Sequence, residues 1–272
     1  MKRLFLSPKE ISSELVQICI RKAQASLFEL FLFEILAGIY IGFGAQTALT
    51  ILSGSTLDPG FARFLAGSVF SVGLMLVLIP GAELFTGNIL MTIGLIDKKY
   101  GSMKMLRNWC VVYIGNFIGS VLLACIVFKS GLMGSIATGL SPVGNIAVKI
   151  AETKLSLSFT EGFTRGILCN MLVCLGVIMC ISSLTITGKI FGIYFPIMAF
   201  VACGYEHSIA NMFFIPAGMM VKCDLYSGFV LLWKNLIPVT FGNIVGGVLL
   251  VFFHPKMEQK LFNYRPDRNI LA

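Results

Sequence analysis

The chain has 272 residues, of which 57% are hydrophobic and only 12% are charged. Ordinary soluble domains carry about 25% charged and about 45–50% apolar residues, so this composition excludes most soluble enzymes and nucleic-acid binders. A formal charge of +8 would suit a nucleic-acid partner, but the placement of the charges gives it another explanation below. The composition therefore predicts an integral membrane protein.

The first segment, residues 1–27, is predicted to form an amphipathic helix on the cytoplasmic membrane interface. Ser7, Pro8 and Glu10 form a helix start, with Ser as N-cap, Pro at the first helical position and Glu three residues after the cap. Apolar residues then recur at helical spacing: Ile11, Leu15, Ile18 and Cys19. A solvated lead-in to the first span explains the pattern equally well. Charges interrupt every apolar run here, so no cleavable signal peptide is expected.

Charge-free runs predict the membrane spans, because a helix needs roughly 20 apolar residues to cross the hydrocarbon core. Four runs are long enough to cross once: residues 35–57, 108–128, 166–188 and 235–255. Two longer stretches, 64–96 and 190–221, are interrupted only by Glu83 and by Glu206 with His207. As straight helices these stretches would exceed the thickness of the bilayer, so each is predicted to be a broken span. The fold class is therefore all-α integral membrane, with six spans of which the second and fifth are broken.

The distribution of Lys and Arg predicts the orientation. Fourteen of the 21 fall on the side of the N-terminus, which favours cytoplasmic termini in a cell membrane. The net positive charge then follows from the orientation of the spans in the membrane, so no nucleic-acid partner is expected. The predicted organisation is an N-terminal helix at 1–27, a three-span repeat at 28–128, an extracytoplasmic loop at 129–165, a second repeat at 166–255 and a cytoplasmic tail at 256–272.

Eight cysteines are present, and none forms a CxxC pair. Most lie inside the predicted spans, where a thiol behaves as a small apolar side chain. No His and Glu pair stands at metal-ligand spacing in the spans. We therefore expect packing roles for the cysteines and neither a metal nor a cofactor.

An internal repeat relates the two halves of the chain. The third span contains Asn108, Gly115, Asn116 and Gly119, and the same residue types recur 127 positions later at Asn235, Gly242, Asn243 and Gly246. The two broken spans also match, since Glu83 and Asn88 correspond to Glu206 and Asn211. Because each repeat has an odd number of spans, the second enters the membrane from the opposite face. The repeated glycines are predicted to allow close helix contact.

The breaks indicate a permeation site. Irregular backbone at membrane depth is tolerated where it is buried in protein or lines a cavity, and paired broken helices in inverted repeats mark transport sites. Glu83 and Glu206 begin the two half-helices, so we expect their carboxylates to cap the free N–H groups. A role in substrate or proton handling is the alternative. His207 lies at the second break, where an ionisable residue suggests function, and Thr86 offers a hydroxyl at the first.

Three motifs resemble the signatures of the formate–nitrite transporter family, which includes hydrosulfide channels. They are Glu-Leu-Phe-Thr-Gly-Asn at 83–88, Asn-Trp at 108–109 with Gly-Asn at 115–116, and Gly-Tyr-Glu-His-Ser-Ile-Ala-Asn-Met-Phe at 204–213. The likeness covers nearly the whole chain in order and spacing. It implies a homopentamer of aquaporin-like protomers in the lipid bilayer, each with a pore for a small monovalent anion.

The resemblance also implies roles for individual residues. Thr86 and His207 would form the selectivity region. A cytoplasmic constriction would consist of Phe70, Leu74 and Phe200, and an outer one of Phe85 and Val173. Asn170 would be a polar pore residue near the outer constriction, and Lys154 a vestibule lysine that attracts anions.

Formate is the favoured substrate, and nitrite or hydrosulfide remains the alternative. A proton from His207 or from solvent would let the anion cross the apolar section as a neutral acid, because a bare anion is costly there. An intramembrane enzyme is poorly supported, since no nucleophile is paired with a base on one helix face. A structural subunit without flux would leave the two breaks unexplained.

Overall fold

The computed structural model describes residues 3–135 and 139–252, with the backbone alone at 27–30, 225–227 and 229. The predicted tail at 256–272 lies outside the described residues. The described chain is almost entirely helical, as the sequence predicts. The only strands within those ranges are the two-residue pair β1 (Gly134–Ser135) and β2 (Gly139–Leu140), which are antiparallel.

The helices follow one another with short connections. They are α1 (Pro8–Gln24), α2 (Leu27–Leu52), α3 (Pro59–Leu78), α4 (Phe85–Asn88), a 3₁₀ turn (Ile89–Met91), α5 (Thr92–Ile96), α6 (Ser102–Lys129), α7 (Pro142–Leu155), α8 (Phe159–Ser182), α9 (Ile186–Ala202), α10 (Ser208–Val221) and α11 (Leu225–Phe252).

Five of these helices are long and apolar enough to cross a membrane: Phe31–Leu52 within α2, then α3, α6, α8, and Val230–Phe252 within α11. Helices α9 and α10 are apolar but shorter, with 17 and 14 residues. The chain is therefore a multi-pass membrane protein. Between α3 and α4, and again between α9 and α10, the backbone leaves the helical conformation for a few residues.

The long helices begin before the charge-free runs. Helix α8 starts at Phe159 rather than at 166, and its first two turns contain Glu161 and Arg165, whose side chains are half-exposed. Charged side chains can stand on a membrane helix near its end because they reach back to the polar interface. A charged residue in the sequence therefore indicates where the hydrocarbon core of the membrane ends, and the helix itself continues beyond it.

Helix α1 begins as the sequence predicts, with Ser7 and Glu10 forming a capping box. Its apolar side, which includes Leu15, Val16 and Cys19, is buried. These residues join the common hydrophobic core, and α1 packs on α5, α6 and α8. The helix thus covers the end of the bundle and buries its apolar face in the protein.

Glycines set the closest helix contacts, in agreement with the sequence. A Cβ at Gly119 of α6 would collide with the carbonyl oxygen of Ile35 on α2. In the second half, a Cβ at Gly246 of α11 would collide with the carbonyl oxygen of Ile167 on α8. Helices α2 and α6 therefore pack backbone to backbone, and α8 and α11 pack in the same way. The candidate functional side chains Thr86 and His207 lie at the starts of α4 and α10.

Candidate functional site

A small cavity of about 10 Å³ lies inside the helix bundle, about enough for one water molecule. His207 is the one ionisable group in its wall, which is otherwise apolar. The wall residues are Ile41, Phe70, Leu74, Leu84, Val173, Ile197, Phe200 and His207. Five of the residues expected in the pore thus share one space: Phe70, Leu74, Val173, Phe200 and His207. Within residues 3–135 and 139–252, no three His, Cys, Asp or Glu side chains are grouped so that they could hold a metal ion.

His207 connects the second break to the first. It is the N-cap of α10, and its Nδ1 atom accepts the backbone N–H of Ala210 at 3.1 Å. Its Nε2 atom lies 2.9 Å from Oγ1 of Thr86. Because Nδ1 accepts a hydrogen bond, the ring proton must be on Nε2 and is donated to Thr86. The geometry therefore indicates a neutral His207 that acts as a hydrogen-bond donor.

Asn170 supports this pair through the backbone. Its amide nitrogen donates to the carbonyl oxygens of Thr86 at 3.2 Å and of Asn243 at 2.6 Å. The thiol of Cys174 also donates to the Thr86 carbonyl, at 3.6 Å. Asn170 is fully buried, and its own carbonyl oxygen has no protein partner among the described residues. Asn170 thus lies beside Thr86, at the centre of the site.

An aromatic cluster lies between the cavity and Lys154. The ring of Phe70 is 5.6 Å from that of Phe200 and 6.4 Å from that of Phe214. The ammonium of Lys154 stands 5.4 Å from the centre of the Phe214 ring. Phe200 also stacks on His207, at 5.8 Å. Phe70 and Phe200 are therefore on the Lys154 side of His207.

Phe85 lies on the other side of the cavity. Its ring contacts the edge of Trp109 at 6.3 Å, and the Trp109 indole donates to the Asn88 carbonyl at 2.9 Å. The Asn88 side chain accepts from the ammonium of Lys22 at 2.5 Å. Phe85 is therefore on the Lys22 side.

These contacts do not fit the expected constrictions together with the expected place of Lys154. Phe70 and Phe200, expected on the cytoplasmic side, lie on the same side of His207 as Lys154, which was expected at the outer mouth. Phe85 lies on the Lys22 side. Phe200 lies in the last turn of α9, far from the start of that helix, where Leu184 pairs with the N-terminal residue Leu4. Its position in the sequence alone did not show that it lies on the Lys154 side of His207. Leu74 and Val173 line the cavity itself.

The expectation that Glu83 and Glu206 cap the half-helices is wrong. The N-caps are Leu84 for α4 and His207 for α10, so each glutamate precedes the cap by one residue. The Glu83 carboxylate instead pairs with Lys22 at 3.0 Å, and that of Glu206 pairs with Lys154 at 2.9 Å.

Two buried asparagines satisfy the helix starts in place of the glutamates. The Oδ1 atom of Asn116 accepts the backbone N–H of Phe85, and that of Asn243 accepts the backbone N–H of Ser208, each at 2.9 Å. The amide of Asn116 also donates to the carbonyls of Glu34 and Glu83, at 2.8 and 2.9 Å. The repeat pointed to these asparagines, but nothing in it specified the bonds that they make.

The ion pairs extend into two matching networks of four side chains. In the first half, Asn88 donates to Glu83 at 2.7 Å and to Asn108 at 2.9 Å. In the second, Asn211 donates to Glu206 at 2.7 Å and to Asn235 at 2.8 Å. Lys22 and Lys154 complete the two networks.

Sequence reasoning missed Lys22 and treated it only as an orienting charge. The separation from lysine to glutamate differs between the halves, 61 residues in one and 52 in the other, so a repeat alignment without gaps cannot pair the two lysines. Lys154 was predicted to be a vestibule lysine that attracts anions, and in the structure its side chain is 14% exposed and bound to Glu206. The pair has no net charge, which weakens any long-range pull on anions.

Comparison with known proteins gives a consistent result. The family model described as formate/nitrite transporter matches residues 9–255. A probable formate transporter of Methanothermobacter thermautotrophicus is 40% identical and aligns with 91% of this chain and 94% of its own. The formate channel FocA of Haemophilus influenzae is 36% identical, over 90% and 92% of the two chains.

A solved structure described as a pentameric formate channel with formate bound is 33% identical and superimposes with a TM-score of 0.75. That match covers 88% of this chain and 98% of the other. Of the motifs that carried the resemblance in the sequence, Leu84 and His207 line the cavity and Thr86 is bonded to His207. The chain belongs to the formate/nitrite transporter family, whose members are channels and transporters.

Proposed function

We propose that this chain carries a small monovalent anion across the membrane, passively or coupled to a proton, and that the anion is formate. The observation that carries the proposal is the Thr86–His207 pair at an apolar cavity between two Lys–Glu pairs. Three of the similar proteins described above are named for formate. Nitrite or hydrosulfide is the second candidate within the same family.

The proposed architecture has six spans in two inverted repeats, in an aquaporin-like arrangement. Helix α3 with α4–α5 would form the broken second span, and α9 with α10 the broken fifth. The matched Asn116 and Asn243 bonds support this assignment, because the same polar contact recurs at each helix start. Both termini would be cytoplasmic, with the domain limits given above. A homopentamer in the cell membrane is proposed from the pentameric neighbour.

The proposed mechanism uses His207 as a neutral donor. If the Nδ1 atom gained a proton, it would oppose the N–H of Ala210 and remove the cap of α10. We therefore favour hydrogen bonding from His207 and Thr86 to the passing species over proton donation by His207. The aromatic rings exclude bulk water, so the anion crosses with a proton taken from solvent, which avoids the cost of a bare charge.

Swelling of proteoliposomes in ammonium formate, nitrite or hydrosulfide tests the proposal. Formate is expected to give the fastest protein-dependent swelling. Faster swelling in nitrite or hydrosulfide would reassign the substrate. Swelling equal to that of protein-free vesicles in all three salts would contradict transport.

A further inference from the structure

Glu34, on α2, is a buried carboxyl group to which the proposed mechanism gives no role. Its side chain has no exposed surface. Both of its carboxyl oxygens lack a hydrogen-bond partner in the part of the chain that the structure describes. By contrast, the glutamates of the two polar networks each pair with a lysine: Glu83 with Lys22 and Glu206 with Lys154.

The fold itself does not require a carboxyl at this position. The amide of Asn116 donates to the Glu34 carbonyl at 2.8 Å, and the amide of Asn243 donates to the Gly166 carbonyl at the same distance. Gly166 is thus the counterpart of Glu34 in the second half. A glycine satisfies the backbone contact there, so the Glu34 side chain is an addition to one half only.

The neighbouring helix leaves space for this side chain. A Cβ at Gly115 of α6 would lie 2.5 Å from the Cβ of Glu34 and 3.0 Å from its Oε2 atom. Any larger residue at 115 would displace the carboxyl group. The backbones of Glu34 and Glu83 are neighbours, because the same Asn116 amide binds the Glu34 carbonyl at 2.8 Å and the Glu83 carbonyl at 2.9 Å. The Glu83 carboxylate is paired with Lys22.

The cost of burying a charge determines whether such a carboxyl group is ionised or neutral. An ionised carboxylate without partners is costly to bury, and the neutral acid avoids most of that cost. Among the side chains that the structure describes, the titratable groups near this end of α2 include Glu83 with its partner Lys22, together with Arg107 and Tyr113 of α6. Arg107 donates to the carbonyls of Ala23 and Ala25, and Tyr113 is bonded to Thr240. Helices α3 and α7 also pack on α2. Arg63 lies near the start of α3, which follows the other end of α2, and Lys154 of α7 is paired with Glu206.

We propose that Glu34 is a proton-binding site of the anion pathway. The carboxyl group binds one proton reversibly, and only the proton-loaded, uncharged form admits anions past the Lys22–Glu83 pair. Loss of the proton places a second negative charge beside Glu83, which repels the approaching anion. This inference rests on the proposed function, since it assigns a ligand, the proton, to the same pathway.

The pH dependence of formate flux in proteoliposomes tests the site. Glu34→Gln mimics the loaded form, so its flux is expected to match wild type at low pH within about twofold. As the pH rises, the ratio of variant to wild-type flux should increase by up to about tenfold per pH unit, because the loaded fraction of a single site falls at that rate. Glu14→Gln, which alters an exposed carboxyl on α1, is the matched control and should keep the wild-type profile.

A second measurement detects the proton on the Glu34 carboxyl group directly. The infrared difference spectrum of the wild type between neutral and alkaline pH should show loss of a protonated carboxyl C=O band, and Glu34→Gln should lack that change. Glu34→Ala serves the same purpose if the glutamine variant does not fold. A flux ratio that stays constant with pH, or a carboxyl band unchanged by both variants, would overturn the proton site. Absence of any wild-type formate flux would instead refute the transport proposal.

Discussion

The Nε2 atom of His207 donates a hydrogen bond to the hydroxyl of Thr86 across 2.9 Å, and so joins the starts of two helices that are 121 residues apart in the chain. The direction of the bond follows from the other ring nitrogen, which accepts the backbone N–H of Ala210. The Thr86 hydroxyl can then offer its own proton to a passing anion. One histidine thus caps a helix and orients a hydroxyl donor of the proposed pathway.

The two roles of His207 can be separated by substitution. Asparagine is a good N-cap, so His207→Asn should retain the start of α10 while losing the donor to Thr86. We expect formate flux to fall by roughly tenfold, the value of one hydrogen bond of about 1 kcal/mol or slightly more, with little change in thermal stability. His207→Ala should lose the flux and, in addition, about 1 kcal/mol of stability. Wild-type flux in His207→Asn would contradict the donor role.

The Lys154–Glu206 pair predicts that a substitution of Glu206 restores the stability that a substitution of Lys154 removes. Lys154→Met leaves a carboxylate that is only 6% exposed without its partner, and breaking a buried pair costs about 3–5 kcal/mol. Thermal unfolding in detergent should show this loss, and formate flux should fall with it. Lys154→Met combined with Glu206→Gln should recover stability, because no uncompensated charge remains.

The same design applies to Lys22 and Glu83, whose side chains are each 21% exposed. We expect a smaller loss for this pair, since water screens it more. If either double variant were as unstable as its lysine single variant, the carboxylate would not be the cause of the instability.

The hydrogen bonds of Asn243 predict that its substitution lowers the stability of the fold strongly. It binds the N–H of Ser208 and the carbonyls of Gly166 and Glu206 at 2.8 to 3.0 Å. Asn243→Ala should lower the free energy of unfolding by about 2–4 kcal/mol, because buried backbone groups lose their partners. Asn145→Ala, at an exposed position of α7, is the control. Equal unfolding temperatures for the two variants would refute the capping role.

The start of α1 should depend on pH. Hydrogen bonds from the Arg3 guanidinium and from Ser7 lower the pKa of Glu10 from 4.5 to about 2. Because the folded-state pKa is the lower one, the carboxylate stabilises the helix start above pH 4.5, and that contribution is lost as the pH falls towards 2. Amide exchange in residues 9–12, corrected for the intrinsic effect of pH, should be faster at low pH. Glu10→Gln should abolish this difference, and a wild type without it would contradict the bond.

The sequence predicts the helical class, the family and most residues around the cavity. Residue types at fixed spacing, such as Gly119 and Gly246, indicate close packing because only glycine fits such contacts. Chain order alone cannot show on which side of the cavity Phe200 lies, because that depends on where α9 ends in space. It also cannot pair Lys22 with Glu83, since tertiary packing of α1 brings them together.

The most direct test of the central claim compares formate uptake by Thr86→Val and Thr86→Ser in liposomes. Serine keeps the hydroxyl that His207 holds in place, and valine replaces it with a methyl group of similar size. We predict near wild-type uptake for Thr86→Ser and a fall of at least roughly tenfold for Thr86→Val, the value of a lost hydrogen bond in a dry site. Wild-type uptake by Thr86→Val would show that the anion does not use this pair.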